Sequence, residues 1–260
     1  MLNYCTQGRC ELILADGTFF YLEQGDLVLS GQMAQNRFVY PQKCYQGLEL
    51  YFEPKLIRSS AAFLSHNFAL DLDKLWQGYC GDQQTLLAQP TAQLRQVLAE
   101  LTGRPDLPSL LLMRLRTLEL LGLLAPENGG LLPKNCSYFT RIQVELAKQA
   151  QLTLSADLRR HYPARILAAQ LGISESSLKH YFRGVYGQSM AAYQKSVRLR
   201  EAALLLTETR LPIAEIAAQV GYANQGKFAA VFKEQYLLTP LTYRRQKQLK
   251  KLRGQPDPTE

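Results

Sequence analysis

A five-residue pattern occurs twice in this chain, 49 residues apart, and each copy stands just ahead of a short basic segment. The first copy is Ala168–Gly172 and the second is Ala217–Gly221. The alanines allow two helices to approach closely, and the glycine that ends each copy suits a turn at positive φ. Ser174 and Asn224 then stand where a polar side chain caps the next helix by accepting hydrogen bonds from its free N–H groups. The pattern predicts two helix-turn-helix units in tandem.

An apolar residue is expected to fix the second helix of each unit. It is Leu178 in the first copy and Phe228 in the second, where the turn is one residue longer. Phe182 and Phe232, one helical turn further along, are expected in the core together with Phe228. Two such units in one chain are typical of proteins that read DNA by placing helices in the major groove.

The two halves of the chain differ in charge. Of the 30 Lys and Arg residues, 10 lie in residues 1–133 and 20 in residues 134–260, while the 22 Asp and Glu residues divide as 13 and 9. The net charge is therefore −3 for the first half and +11 for the second. The basic half is the one that holds the repeat, as binding to a polyanion requires.

The remaining composition excludes several classes of protein. The N-terminus lacks the basic and apolar regions of a signal peptide. The most apolar segment, 110–125, is interrupted by Arg114, Arg116 and Glu119 and is too short to span a bilayer. Five cysteines without a C-x-x-C pair argue against a disulfide framework and a thiolate zinc site. We therefore expect a cytoplasmic protein with reduced thiols and no membrane partner. The cysteines are Cys5, Cys10, Cys44, Cys80 and Cys136.

Metal and cofactor chemistry are not expected. His66, His161 and His180 are dispersed, and residues 1–58 contain no histidine, which argues against a metal-dependent enzyme. No Ser-His-Asp or paired-carboxylate constellation stands out elsewhere. The sequence predicts no catalytic residue, no metal site and no cofactor.

The first half has two patterns in succession. Residues 1–58 read as short strands, and Leu48, Leu50 and Phe52 alternate with Glu49, Tyr51 and Glu53 as in a strand with one buried face. Such short, frequent strands predict a small barrel or sandwich. From about residue 59 the pattern is helical, and the leucine-rich stretches 94–101 and 110–124 either pack in the core or form a dimer seam. The predicted strands are 10–14, 18–22, 27–29, 38–40 and 48–52.

The second half reads as a helical array that follows a linker at residues 126–133. Ser189 is expected to cap a long connecting helix that runs through Leu206 and joins the two helix-turn-helix units. Another helix is expected at 138–160, and a last one begins after Thr239-Pro240. The predicted divisions are 1–133, 134–248 and a disordered tail at 249–260.

With these elements placed, residues 164–245 closely resemble the DNA-binding domain of the AraC/XylS family of bacterial transcription regulators. The first 58 residues are similar to the cupin-like sensory barrel that many members place upstream. The resemblance implies an α+β multidomain fold, with a small N-terminal cupin-like β-barrel plus helices and a C-terminal all-α domain in which a long helix joins two helix-turn-helix motifs. Matching residues include Leu171-Gly172-Ile173-Ser174, Leu178, Phe182-Arg183, Tyr186-Gly187, Tyr193, Arg198, Ala202, Ile216-Ala217, Val220-Gly221-Tyr222, Asn224-Gln225, Lys227-Phe228, Phe232-Lys233, Thr239-Pro240 and Tyr243-Arg244-Arg245.

Three features depart from the family pattern. Pro163 stands where the family usually has a capping Thr or Ser, and it supplies no capping oxygen. Leu237 replaces the usual glycine after the second recognition helix, so that turn must close without the residue best suited to it. The chain is also shorter than is usual, which leaves two alternatives open: a barrel truncated at its N-terminus, or a start codon assigned too late.

The resemblance implies a set of DNA-contacting residues. The expected base-contacting residues are Ser176, Ser177, Lys179 and His180 on the first recognition helix and Gln225 and Lys227 on the second. Gly226 and Ala230, which also lie on the second helix, offer no hydrogen bond. We therefore predict that the first helix performs most of the base readout and the second mainly docks. The expected phosphate-contacting residues are Arg183, Lys233, Arg244 and Arg245.

The resemblance also implies partners and leaves alternatives open. The partners are double-stranded DNA read in two successive major grooves, RNA polymerase contacted by an activator, a small-molecule effector and a second copy of the chain. One alternative is an enzyme of the DNA alkylation-repair type, whose zinc-bound cysteine cluster is missing here. Another is a DNA-binding protein whose N-terminal half only dimerises and senses no ligand.

Overall fold

The structure is a computed structural model that describes residues 1–14, 16–31, 39–52, 54–80, 85–103 and 109–252. The chain forms two compact units, Met1–Arg141 and Ile142–Glu260. No helix in these described ranges is long and apolar enough to cross a membrane.

The first unit is built on a curled antiparallel sheet. Its strands run in the order β2-β1-β3-β5-β6, and β4 pairs with β1. A register shift between Cys5 and Gln7 divides β1, which pairs with β3 through Leu2–Tyr4 and with β2 through Arg9–Ile13. The long bent strand thereby curls the sheet into a half-barrel. The strands are β1 (Leu2–Ile13), β2 (Phe19–Glu23), β3 (Leu27–Ser30), β4 (Tyr45–Leu50), β5 (Thr85–Pro90) and β6 (Leu131–Pro133).

Apolar side chains bury both faces of this sheet. Helices of the first unit cover one face, where Leu2 and Leu29 pack with Leu94 and Leu98. The opposite face holds a second cluster that includes Phe20, so the inside of the curl is filled with side chains. The helices are α1 (Pro54–Phe68), α2 (Leu72–Cys80), α3 (Ala92–Thr102) and α4 (Leu110–Leu123), followed by a 3₁₀ turn at Pro126–Asn128.

Several boundaries differ from the sequence-based expectation. The expectation of helix from residue 59 to the linker is wrong at β5, and α1 begins earlier, at Pro54. β5 is stabilised by long-range pairing with β3 and β6, which a local pattern does not register. Of the predicted strand 38–40, residue 38 lies outside the described ranges and Val39 forms an isolated bridge to Glu11.

The segment predicted as a linker is attached to the half-barrel. β6 lies within it, and Phe139, a few residues later, exchanges two backbone hydrogen bonds of 2.8 Å with Phe19. Lys134 Nζ lies 2.6 Å from Oδ2 of Asp26, a fully buried carboxylate. These contacts place the division between the units at residues 141/142, eight residues later than the sequence pattern suggests.

Two cysteines lie inside the curl of the sheet. Burial raises the pKa of the Cys5 thiol to about 11 and that of Cys10 to about 12. Both thiols are therefore protonated at neutral pH, which makes them weak nucleophiles. Among the described residues, no group of three or more His, Cys, Asp and Glu side chains is arranged to hold a metal ion.

The second unit is a helical array. The predicted connecting helix is confirmed as α8, and Ser189 Oγ accepts a 3.2 Å hydrogen bond from Ala192 N at its start. The first helix begins at Arg141 rather than 138, because Phe139 is engaged in the bridge to Phe19. The last helix extends to Leu252, into the segment predicted as a tail, and residues 253–260 lie outside the described ranges. The helices are α5 (Arg141–Ala156), α6 (Ala164–Gln170), α7 (Glu175–Tyr186), α8 (Met190–Glu208), α9 (Ile213–Gln219), α10 (Gln225–Tyr236) and α11 (Pro240–Leu252).

Candidate DNA interface

The first helix-turn-helix consists of α6 and α7. Gly172 takes the turn at φ 69°, in the left-handed region, as its position in the repeat predicts. Ser174 Oγ accepts a 3.1 Å hydrogen bond from Ser177 N and so caps α7. Leu178 and Phe182 are fully buried and anchor the inner face of α7. These contacts fix the recognition helix on its support.

The second helix-turn-helix, α9 and α10, repeats this geometry. Gly221 has φ 86°, and Asn224 Oδ1 accepts a 2.9 Å hydrogen bond from Lys227 N. Phe228 and Phe232 are fully buried, as predicted. Pro163 and Pro212 occupy the equivalent positions before α6 and α9, and neither provides a side-chain cap. The missing cap is therefore common to both helix-turn-helix motifs.

An aromatic triad repeats with almost the same geometry behind each recognition helix. Ring centroids of Phe182 lie 4.7 Å from Tyr186 and 5.5 Å from Tyr193. Behind the second recognition helix, the ring of Phe232 lies 4.6 Å from that of Tyr236 and 5.4 Å from that of Tyr243. The tyrosine pairs are separated by 5.2 Å in both. Each triad joins its recognition helix to the helix that follows it, so the repeat extends beyond the helix-turn-helix itself.

A second repeated contact holds the chain segment ahead of each unit. Gln194 Nε2 donates a 2.9 Å hydrogen bond to the backbone carbonyl of Arg160, and Arg244 Nη2 donates one of 2.6 Å to the carbonyl of Leu211. Gln194 and Arg244 each follow the tyrosine of α8 or α11 that completes a triad. The five-residue pattern gives no signal for this pair, because both contacts join residues more than 30 positions apart and the two side chains differ.

The predicted contact residues of the first recognition helix do not all lie in the same environment. Ser176, Lys179, His180 and Arg183 are exposed, and their spacing places them along one face of α7. Ser177 is half-buried and takes part in the cap, because its Oγ lies 2.8 Å from that of Ser174. Its role in base contact stays a prediction.

One predicted base-contacting lysine is already paired within its helix. Lys179 Nζ lies 2.6 Å from Oε1 of Glu175, in the i,i+4 arrangement of a helix-surface ion pair. With 60% of the lysine side chain exposed, this pair is weak and can exchange its partner.

The predicted contact residues of α10 and one of those in α11 are exposed: Gln225, Lys227, Lys233 and Arg245. Arg244 differs from them, because it is half-buried and donates to the carbonyl of Leu211. This contact gives Arg244 a positioning role in the domain, beside which the predicted phosphate contact stays a prediction.

α10 ends in a strained turn. Leu237 adopts φ 59°, in the left-handed region, where the equivalent residue after α7 is Gly187 at φ 71°. A side chain in this region costs about 1–2 kcal/mol relative to glycine. The Leu237 side chain is 83% exposed, so packing does not compensate for the strain.

We expect Leu237→Gly to raise the free energy of unfolding of the compact unit that contains α10, residues 142–260. Relief of the left-handed strain exceeds the extra chain entropy of glycine by about 0.5–1 kcal/mol. The measurement is urea unfolding of the full chain, with Leu237→Ala as the control that removes the exposed side chain but keeps the Cβ. Equal stability of the two variants would contradict the strain.

Comparisons with known proteins agree with this geometry. A family described as a helix-turn-helix domain matches residues 167–246. The chain is 38% identical over 79 residues to the right origin-binding protein of Escherichia coli (strain K12), a match that covers 30% of this chain and 27% of that protein. It is also 38% identical over 79 residues to the regulatory protein SoxS of the same strain, covering 30% of this chain and 74% of SoxS.

A solved structure is also similar. It is that of a probable AraC family transcriptional regulator from Rhodopseudomonas palustris CGA009, with 26% identity, a TM-score of 0.36, and coverage of 40% of this chain and 97% of that one.

The helical domain with its two helix-turn-helix motifs, together with the match to SoxS, defines a helix-turn-helix regulator. The chain belongs to the AraC/XylS family of DNA-binding transcriptional regulators. That family is not one of enzymes, so the alkylation-repair alternative is set aside. The chain spans about a quarter of the length of the right origin-binding protein.

Proposed function

We propose that this chain is a sequence-specific regulator of transcription that reads two successive major grooves of double-stranded DNA. The observation that supports it is the repetition of one recognition unit: two capped helices joined by the single helix α8 and each fixed by two buried apolar side chains. These are Leu178 and Phe182 on α7, and Phe228 and Phe232 on α10. Each recognition helix presents exposed polar and basic side chains. The net charge of +11 in residues 134–260 favours binding to the phosphate backbone.

The experiment that tests this function is fluorescence anisotropy on the upstream region of the protein's own gene and on a scrambled duplex, over a salt series. We expect a preference of about 10³-fold for the native region and an affinity that falls steeply with salt. Equal affinity for the two duplexes at every salt concentration would contradict sequence-specific recognition.

Within this function, base readout is proposed to lie mainly on α7. Lys179 can donate to guanine O6 and N7, and Ser176 and His180 can donate or accept. On α10 the equivalent face contains Gly226 and Ala230, which carry no hydrogen-bonding group in their side chains.

We therefore expect base substitutions beneath α7 to weaken binding by about 1–3 kcal/mol each, and those beneath α10 by less. Lys179→Ala should flatten the preference at one position beneath α7, whereas Lys233→Ala, at an expected phosphate contact of α10, should weaken all sequences alike. The measurement is the affinity of each variant for the same panel of mutated sites. Greater losses beneath α10 would overturn this division.

The role of the first unit is proposed as effector sensing by an activator that also contacts RNA polymerase. This role comes from the family, whose members often combine a sensory barrel with the DNA-binding domain. Thermal unfolding in the presence of a metabolite library would test it, since a ligand that binds only the folded state raises the Tm.

The alternative, a first unit that only dimerises, is favoured by the surface of α4. Its N-terminal half exposes a run of large apolar side chains, while Leu120 and Leu121 at its other end are buried. Exposed apolar stretches of this kind mark interaction surfaces. The exposed residues are Leu110, Leu111, Leu112, Met113 and Leu115.

We expect the protein to form a homodimer through α4. The double substitution Leu111→Glu with Leu115→Glu should weaken dimerisation at least about tenfold, because each buried leucine contributes about 1.5–3 kcal/mol. Sedimentation equilibrium is the measurement, and Gln96→Glu on the exposed face of α3 controls for added charge. A monomeric wild-type protein, or an unchanged dimer in the double variant, would contradict this interface.

A further inference from the structure

The DNA-binding unit contains a cavity of about 520 Å³ that lies beside the recognition surface. Lys179 and Arg183 of α7 line one side of it, and the first residues of α8 line another. Tyr222, in the turn that precedes α10, also contributes to the wall. The cavity, called here the interhelix cavity, is thus bounded by the first recognition helix and by the turn that leads into the second.

Basic side chains converge on the interhelix cavity. Besides the two residues of α7, it is lined by Lys195 and Arg198 of α8. Lys195 Nζ is paired at 2.9 Å with Oε2 of Glu234. With Glu175 beside Lys179, two carboxylates accompany four cations, so the region keeps a positive balance.

Arg198 is held in place with part of its hydrogen-bonding capacity unused. Its Nη2 donates a 3.1 Å hydrogen bond to the carbonyl of Arg160, and its guanidinium carbon lies 5.9 Å from the centre of the Tyr222 ring. Its Nε is buried and has no acceptor among the described residues. Because the planar guanidinium has five N–H donors and Arg160 takes one of them, its terminal nitrogens can still donate to the oxygens of a bound anion.

The start of α8 adds a second attraction for an anion. Met190 and Ala191, the first residues of this 19-residue helix, line the interhelix cavity. The N–H groups of a first helical turn have no intrahelical acceptor, and the helix dipole places partial positive charge there. Helix N-termini that meet cationic side chains are recurrent phosphate sites.

We propose that the interhelix cavity binds a phosphate group, and that in the DNA complex this group is the backbone linkage that crosses between the two recognition helices. A volume of about 520 Å³ also has room for the sugar attached to the phosphate. The apolar wall provided by Met190, Ala191 and Tyr222 suits the deoxyribose, while the guanidinium of Arg198 and the N-terminus of α8 bind the phosphate oxygens. The DNA part of this assignment rests on the proposed function; the phosphate site itself does not.

The first experiment replaces one backbone phosphate at a time by an uncharged methylphosphonate in the duplex that the protein binds. We expect one linkage between the two grooves at which neutralisation weakens binding by wild-type protein about tenfold. Arg198→Gln should bind the unmodified duplex about tenfold more weakly and should lose its sensitivity at that linkage only, because the two changes remove the same interaction. Arg200→Gln, which removes an exposed cation of α8 outside the cavity, should retain the sensitivity.

A second variant distinguishes the loss of a phosphate contact from a folding defect in Arg198→Gln. Ala191 is exposed, and Ala191→Trp fills the interhelix cavity without removing a cation. It should lose the sensitivity at the same linkage while its thermal unfolding stays close to that of wild type.

The second experiment omits DNA and compares thermal unfolding of the full chain in inorganic phosphate and in chloride at equal ionic strength. Phosphate should raise the Tm of wild type and of Arg200→Gln, but not that of Arg198→Gln or Ala191→Trp. This result without a sensitive DNA linkage would assign the cavity to a free phosphorylated molecule rather than to the DNA backbone. No dependence on the cavity in either experiment would overturn the proposal. A protein that discriminates no duplex would contradict the proposed function while the phosphate measurement still decides the site.

Discussion

Gly221→Ala is expected to destabilise the DNA-binding unit much more than Gly172→Ala, although the two glycines occupy equivalent turns. Both have positive φ, so an alanine at either position costs about 1–2 kcal/mol of backbone strain. At Gly221 a Cβ would lie 2.3 Å from the backbone carbonyl oxygen of Leu158, whereas at Gly172 it would meet no atom within 4 Å. The steric overlap adds about 1–3 kcal/mol or more, because a backbone atom must move.

The measurement is urea unfolding of both variants beside wild type, with each variant serving as the control for the other. DNA affinity should follow stability, since Gly221 lies just ahead of the capped start of α10. Equal losses at the two positions would mean that the close approach between Gly221 and Leu158 contributes nothing and that only the turn conformation matters.

The turns of the DNA-binding unit could be predicted from the sequence because their causes are local. A glycine at positive φ, a capping Ser174 or Asn224 and a buried anchor four residues later act within one or two helical turns. Each aromatic triad, by contrast, joins side chains of two different helices. The contacts within a triad therefore show only in three dimensions. The same is true of Gln194 and Arg244, whose partners lie more than 30 residues away.

The first unit was less predictable because its pattern is interrupted by buried polar residues. β1 contains Asn3 and Arg9, both nearly or fully buried, so the apolar pattern marks only its second part. Asn3 is satisfied by Glu49 and Tyr45 of β4, and Arg9 pairs with Glu23 of β2. Such pairing across strands makes a polar residue compatible with burial, and no single-segment pattern indicates it.

A large effect is also expected from a substitution within α8, because this helix joins the two helix-turn-helix motifs. Ala202 lies in its interior and is fully buried. Ala202→Pro removes one helical hydrogen bond and places the proline ring against the preceding turn, at a cost of about 3 kcal/mol or more. We expect loss of cooperative unfolding in the second unit and loss of sequence-specific DNA binding.

The control for this substitution is Ala164→Pro at the first position of α6. The residue before it, Pro163, has φ −61° and ψ 137°, the extended conformation that a following proline requires, and the N–H at this position has no intrahelical acceptor. Ala164→Pro should therefore unfold at close to the wild-type urea concentration. If Ala202→Pro instead bound DNA with wild-type affinity, α8 could not be a rigid spacer. The two recognition helices would then act as separate modules, whose joint affinity depends on the length of the connection rather than on its stiffness.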